Sequence, residues 1–254
     1  MTERVQARLH VAGALGGALA LDDARAHYLK NVLRLKPGSR IAVFNAIAGE
    51  FAARIESYER RGATLVVEEQ RRAPQREPDL WLVFAPIKRA RIDITVEKAT
   101  ELGASRIQPV FTRHTIVTRV NVDRLATIAV EAAEQSERLS VPEIGEPENL
   151  NRLLDRWDAN RALVICDETG AGPPLARIAR GLALDGPHAV LIGPEGGFAP
   201  AELDRLRGLP FVTAAGLGPR VLRADTAALA ALAVLQAVAH DRFGAPPPRF
   251  ASIP

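Results

Sequence analysis

The order of apolar runs along this chain predicts an α/β protein in two parts: a small β-rich domain, then a parallel sheet covered by helices on both faces. Three observations predict it. Through the first seventy or so residues, short apolar runs alternate with turn signals at Pro37-Gly38, Gly49 and Gly62. From Asp79 onward, strand-like runs alternate with stretches of helical periodicity. Between them lies Arg71-Arg-Ala-Pro-Gln-Arg-Glu-Pro78, polar and twice interrupted by proline, which reads as a linker. The expected boundaries are 1–72 for the first domain, 73–79 for the linker, 80–244 for the second domain and 245–254 for a proline-rich tail that reads as disordered.

In the first domain, strands are expected at Arg8–Val11, Arg40–Phe44, Glu50–Ile55 and Thr64–Val67, with one short helix around His27–Leu35; this spacing suits a compact barrel. In the second, Leu80–Ala85 reads as a strand. Arg89–Leu102 reads as a helix because Ile92, Val96, Ala99 and Leu102 share one face and Gly103 stops it. Strands at Ile107–Phe111, Leu163–Cys166, Ala189–Ile192 and Phe211–Ala215 alternate with helices near Val122–Glu137, Leu150–Trp157, Leu175–Leu182 and Pro200–Arg207. That alternation is the pattern of a parallel sheet. The last helix, about Thr226–Arg242, is apolar almost all round through Val238, so it is buried either in the core or against a second subunit.

Composition narrows the function. With 254 residues, 47% of them hydrophobic and 25% charged, the chain is long enough to bury a real core. A single cysteine, Cys166, excludes a disulfide framework and fits a reducing cytoplasm. The five histidines have no metal-ligand spacing, the longest apolar stretch, Ala227–Leu235, is too short to cross a bilayer, and the N-terminus, with polar Thr2, Glu3 and Arg4 and no uninterrupted apolar region, reads as carrying no export signal. The net charge of +3 is unevenly placed. Residues 1–76 hold 13 Lys+Arg against 8 Asp+Glu, whereas the rest hold 20 against 22. A basic module beside a near-neutral body suggests a polyanion docking surface joined to a catalytic domain, nucleic acid being the usual partner; a solvated surface with a chance excess of arginine is the plainer alternative.

The most informative segments are two glycine-rich turns, Leu191-Ile-Gly-Pro-Glu-Gly-Gly-Phe198 and Gly216-Leu-Gly-Pro-Arg-Val-Leu-Arg-Ala-Asp-Thr226, each entered from an apolar run and each leaving toward a helix. Open α/β sheets bind ligands at such strand ends, and glycine lets the backbone approach a ligand closely. Either turn alone could be an ordinary strand-to-helix connection. Neither carries the Lys-Ser/Thr pair of a phosphate loop. The second turn also departs from the dinucleotide fingerprint, with Val221 in place of the last glycine and Pro219 interrupting.

These turns, with Glu97-Lys-Ala-Thr-Glu-Leu-Gly103, Glu131-Ala-Ala-Glu-Gln-Ser136 and Val32-Leu-Arg-Leu-Lys-Pro-Gly38, occur in an order that resembles the bacterial small-subunit ribosomal RNA methyltransferase E family. Its members belong to the SPOUT superfamily and methylate N3 of one uridine in 16S rRNA. The resemblance implies an N-terminal PUA-like β-barrel that helps bind RNA and a SPOUT α/β domain whose last segments form a deep trefoil knot. It also implies an obligate homodimer, action on the assembled 30S subunit, and S-adenosyl-L-methionine bound in the knot. The cofactor contacts it implies are Leu191, Ile192, Gly193, Pro194, Glu195, Gly196, Gly197, Leu217, Gly218 and Leu222. A phosphate-free ligand of this kind needs an apolar slot and backbone hydrogen-bonding groups, which these residues offer. A methyltransferase on another RNA and a non-catalytic RNA-binding assembly factor are the competing readings.

Methylation at N3 removes an imide proton, so a cation beside the uracil oxygens is needed as charge develops. Arg223 is the first candidate and Arg220 the second, a surface ion pair being the alternative for the latter. Asp225 reads three ways: as the base, as a partner orienting Arg223, or as the N-cap of the last helix. Phosphate contacts are expected from Arg8, Lys30, Arg34, Lys36 and Arg40 in the basic domain and from Arg113 after a strand of the second; its neighbour His114 reads as either an RNA contact or a structural group. Glu131, Glu134, Gln135 and Arg138 form one polar helical stripe, which reads as a solvated face or, by the resemblance, as a dimer or active-site edge.

Overall fold

A computed structural model describes residues 5–166, 172–182 and 186–243. They divide into two compact units: the described residues through Arg76 together with Ala133–Val141, and Glu77–Ala132 together with the described residues from Pro142 to Phe243. The expected tail lies outside the described residues.

The first unit is a five-stranded sheet with the order β1-β3-β4-β5-β2, an open path among the described residues. Its strands are β1 (Arg8–His10), β2 (Ala18–Leu21), β3 (Arg40–Asn45), β4 (Gly49–Glu59) and β5 (Gly62–Arg72). β1 runs parallel to β3 and the remaining pairs are antiparallel. Gly49 and Gly62 take left-handed φ values of 87° and 143°; a Cβ on either would strike a backbone carbonyl oxygen, of Arg72 at 2.1 Å and of Leu21 at 2.5 Å. Three register shifts bend the long β4–β5 hairpin around a core of Leu9, Leu29, Ile41, Val43, Ile55 and Leu65. The expected helix around His27–Leu35 is instead α1 (Asp23–His27), capped by the Asp22 side chain, followed by one π turn over Tyr28–Val32.

Arg8 ties the late segment Ala133–Val141 to β1. Its Nη1 donates to the carbonyls of Ala133 (3.1 Å) and Glu134 (2.9 Å), and its Nη2 donates to that of Arg138 (3.0 Å). Its Nε meets Glu50 at 2.8 Å, and its guanidinium lies 4.1 Å over the Phe44 ring. A cation gathering the last carbonyls of a helix is favourably placed against the helix dipole. The Glu134 carboxylate accepts the His10 backbone N–H at 2.9 Å. The helix ends at Gln135 and Glu137 is left-handed at a φ of 60°, so Arg138 lies outside the expected stripe and meets Arg8 through its backbone carbonyl, whereas Glu131 and Gln135 stay exposed.

The second unit is a parallel sheet, as the alternation predicts. Its strands are β6 (Leu80–Phe84), β7 (Arg106–Phe111), β8 (Glu143–Ile144), β9 (Glu148–Asn149), β10 (Ala162–Cys166), β11 (His188–Ile192) and β12 (Val212–Ala214). They run in the order β12-β10-β11-β6-β7-β8, with β9 also pairing β7. Helices α2 (Arg89–Glu101), α3 (Val122–Gln135), α4 (Leu150–Asp155), α5 (Leu175–Gly181) and α6 (Pro200–Gly208) lie between them, and α7 (Ala224–Phe243) follows the last. Val83, Ile165, Ala189, Leu191 and Leu206 are fully buried in the core. α7 packs on α2, α5, β6 and β11 through Ala227, Ala228, Ala231, Leu232, Leu235 and Ala239. Its other face, with Leu229, Ala233, Val234, Ala237 and Val238, stays partly or fully exposed. The core therefore takes one stripe of this apolar helix and not its whole circumference.

Burial, helped by the nearby charge of Arg25, holds the His10 imidazole below its ordinary value of 6.5. The unfolded chain then binds the proton more readily than the folded one, so the stabilisation is full above 6.5 and is lost as the pH falls through the lower folded value. Urea denaturation between about pH 5 and 8 should show stability rising with pH, and His10→Gln should flatten that rise.

Candidate active site

All strands of the second sheet are parallel, so the connections after β6, β7, β11 and β12 emerge at one edge. At that edge the Ala85 N–H donates to the Ile192 carbonyl at 3.0 Å, joining the ends of β6 and β11. Leu191 and Ile192 are sealed in the sheet, so their side chains belong to the core; only the chain beyond them can meet a ligand.

The first turn closes on itself. The Gly197 N–H donates to the Pro194 carbonyl at 2.9 Å, and Gly197 takes a φ of 68°. The Phe198 ring folds back over Gly193, where a Cβ would lie 2.8 Å from ring carbon Cε2. Gly193 and Pro194 are buried, whereas Glu195 and Gly196 form the exposed tip.

The second turn is pinned by the segment before α5. The Leu175 N–H donates to the Gly216 carbonyl at 3.0 Å, and the Gly216 N–H to the Pro173 carbonyl at 2.9 Å. Gly172 passes so close to β12 that a Cβ would sit 2.5 Å from the Ala214 carbonyl oxygen. Beyond it, Leu217 and Leu222 are half-buried. Gly218 takes a φ of 110° with open space where its Cβ would stand, which leaves bare backbone beside the two leucines. Arg220, Val221 and Arg223 are exposed.

Two ties hold these turns to their neighbours. Arg91, in the first turn of α2, places Nη1 2.7 Å from Oδ2 of Asp225, whose Oδ1 accepts the Thr226 N–H at 2.9 Å. α7 begins at Ala224, so Asp225 lies inside its first helical turn and not at the cap position ahead of it. On the other side, a Thr112–Thr115 turn presents Arg113 and His114. The Arg113 backbone N–H donates to Oε1 of Glu202 at 2.9 Å, while Oε2 of Glu202 accepts the Ala199 N–H at 2.9 Å. Nδ1 of His114 contacts the carbonyls of Gly196 and Gly197. The Arg113 side chain is exposed, as is Lys88 just before α2.

In the first unit, Lys30, Arg34 and Lys36 are exposed in and after the π turn, with Lys30 Nζ 5.4 Å from the centre of the Tyr58 ring and Arg34 in the left-handed region at a φ of 58°. Arg8 is different. With its side chain only 11% exposed and its guanidinium spent on Glu50 and three carbonyls, it is a structural tie, and the phosphate contact expected of it is withdrawn. Sequence reasoning left out Arg91 and Glu202. The pattern Ala199-Pro-Ala-Glu202 lacks the hydroxyl that marks a capping box, and the Arg91 partner is 134 residues away. Among the described residues no cluster of three or more His, Cys, Asp or Glu could hold a metal, and no helix is long and apolar enough to cross a membrane.

This geometry agrees with known proteins. A family described as an RNA methyltransferase domain matches residues 75–236, and one described as an RNA methyltransferase PUA domain matches residues 21–68. Fold and site together thus define an RNA methyltransferase with a PUA-like N-terminal domain. Ribosomal RNA small subunit methyltransferase E of Rickettsia conorii is 34% identical over 83% of this chain and 86% of its own, and that of Bacillus subtilis is 30% identical over 82% and 86%. The crystal structure of the same enzyme from Neisseria gonorrhoeae, bound to S-adenosyl methionine, superposes with a TM-score of 0.80 at 26% identity over 92% of this chain and 98% of that one. The chain belongs to the ribosomal RNA small subunit methyltransferase E family.

The two glycines of the first turn differ in what surrounds them. Gly193→Ala must displace a Phe198 ring backed by the core and should cost about 1–3 kcal/mol. At Gly196 a Cβ would meet only His114, at 3.3 Å and at the surface, so Gly196→Ala should cost less than about 0.5 kcal/mol. Denaturant titration of the two variants checks the ordering.

Proposed function

We propose that the chain transfers a methyl group from S-adenosyl-L-methionine to N3 of one uridine of 16S rRNA in the 30S subunit. The observation that carries the reading is the pair of glycine turns at one sheet edge, neither with the Lys-Ser/Thr pair of a phosphate loop, together with relatives of this name along most of the chain. The turns suit the donor. They offer bare backbone at Gly196 and Gly218, apolar surface at Leu217 and Leu222, and one exposed carboxylate, Glu195, suited to a cationic sulfonium. Gly193, Pro194 and Gly197 shape the first turn from within. When bound, S-adenosyl-L-methionine supplies an electrophilic methyl group.

The residues of the chain must then place a uridine and favour its anion. Arg223 is the cation that stabilises charge developing on the uracil oxygens, with Arg220 beside it in sequence. Asp225 serves as an anchor: its two oxygens are taken by Arg91 and by the Thr226 N–H, so the ion pair fixes where the Arg220–Arg223 segment enters α7. Lys30, Arg34 and Lys36 of the first unit and Arg113 of the second bind RNA phosphates, positioning the substrate without reading its sequence. The partly exposed apolar stripe of α7 along Ala233, Val234, Ala237 and Val238 supports an obligate homodimer, because an apolar helix face of that kind calls for a partner. A single-cysteine chain suits work on ribosomal subunits in the reducing cytoplasm.

Purified protein with labelled S-adenosyl-L-methionine and unmodified 30S subunits should label N3 of a single uridine in 16S rRNA. Label on another RNA or ring position refutes the substrate, and failure to bind the donor in calorimetry favours a non-catalytic RNA-binding factor. Arg223→Ala should lower turnover roughly 100-fold or more with donor affinity nearly unchanged, the loss expected for a charge-stabilising group. Replacing Lys30, Arg34 and Lys36 by alanine should reduce the salt slope of RNA binding by about 0.7 for each phosphate contact removed. An unchanged slope would place the RNA elsewhere.

A further inference from the structure

His114 stands on the connection after β7, a different strand from the one that carries the first glycine turn, yet it grips that turn from outside. Its Nδ1 lies 3.1 Å from the Gly196 carbonyl oxygen and 3.1 Å from that of Gly197. Carbonyl oxygens only accept hydrogen bonds, so Nδ1 carries the proton whether the ring is neutral or charged. In a trans peptide the C=O and N–H point in opposite directions. Two carbonyls turned toward His114 therefore turn the N–H groups of Gly197 and Phe198 away from it, and that of Gly197 is committed to Pro194. Consecutive glycines are the least restrained backbone in the turn, and this contact restrains both. Glu202 makes a second tie between the same two connections, through the N–H groups of Arg113 and Ala199.

We infer that His114 is a positioning residue that sets the Gly193–Phe198 turn in its donor-binding shape before the donor arrives. The inference rests on the reading that this turn holds S-adenosyl-L-methionine. Pre-setting two glycines removes part of the ordering cost of binding, so it acts on donor affinity and not on the methyl-transfer step. Asparagine can place an amide N–H near the position of Nδ1, whereas alanine cannot.

The test compares wild type, His114→Ala and His114→Asn by hydrogen exchange on the donor-free protein, by calorimetry with S-adenosyl-L-methionine and by turnover. His114→Ala should speed amide exchange at Gly197 and weaken donor binding roughly three- to tenfold, the equivalent of one net hydrogen bond, with KM for the donor raised and kcat nearly unchanged. His114→Asn should restore exchange and affinity together. Exchange at Gly197 that is unchanged in His114→Ala overturns the inference whether or not the donor binds. Equal donor affinity in wild type and His114→Ala overturns the inference alone, whereas a wild type that binds no donor overturns the cofactor reading with it. A His114→Asn protein with restored affinity but lost kcat would move the ring into the chemistry and overturn a purely positional role.

Discussion

The parallel ladder between β6 and β11 is the constraint on which the second unit depends. Five register pairs, from Leu80 with His188 to Phe84 with Ile192, are followed by the Ala85–Ile192 hydrogen bond at the strand ends. Because both strands run the same way, the connection leading to Arg91 and the glycine turn at Gly193 must leave side by side. β7 on one flank and β10 with β12 on the other extend the same edge, which brings Thr112–Thr115 and the second turn to it. Side chains that are distant in sequence then meet without any one loop being long.

The glycines at this edge do different work. Gly193 makes room for a core aromatic ring and Gly172 for a passing carbonyl, while Gly197 and Gly218 supply left-handed backbone. Gly218 has both a left-handed φ and open space where its Cβ would stand, so its bareness faces outward. Charge is divided in a similar way. Arg91 is consumed by Asp225 and Arg8 by the end of α3, whereas Arg113, Arg220 and Arg223 are left facing solvent. Formal charge counts treat all of these arginines alike, and burial separates them.

Much of the fold was legible because the second unit is built from continuous apolar strands and amphipathic helices whose periods differ. β10 and β11 fall within a residue of their expected bounds. The first unit was harder to read. β2, Ala18–Leu21, is half alanine and sits beside Gly16-Gly17, so it gave no strand signal. β4 and β5 run past Ile55 and Val67 through polar residues such as Glu56 and Gln70, because cross-strand pairing sustains a hairpin after the apolar pattern ends. At the site, the turns announced themselves through glycine and proline. The ties between them did not, since Arg91–Asp225 and His114–Gly196 join residues 134 and 82 positions apart, and no local pattern encodes such a pair. The apolar run of α7 was visible, but which of its faces the core would take was not.

The Arg8 guanidinium closes on carbonyls that follow it by 125 to 130 positions. The leading module is consequently not self-sufficient: during vectorial synthesis its β-strands emerge well before the strip 133–141 that finishes it. The nascent sheet must wait, with a bare cation beside Phe44, until about a third of the following module has been made. Severing the polypeptide at its proline-rich joint would therefore strip the leading fragment of its closing segment and leave that segment unpaired on the trailing one.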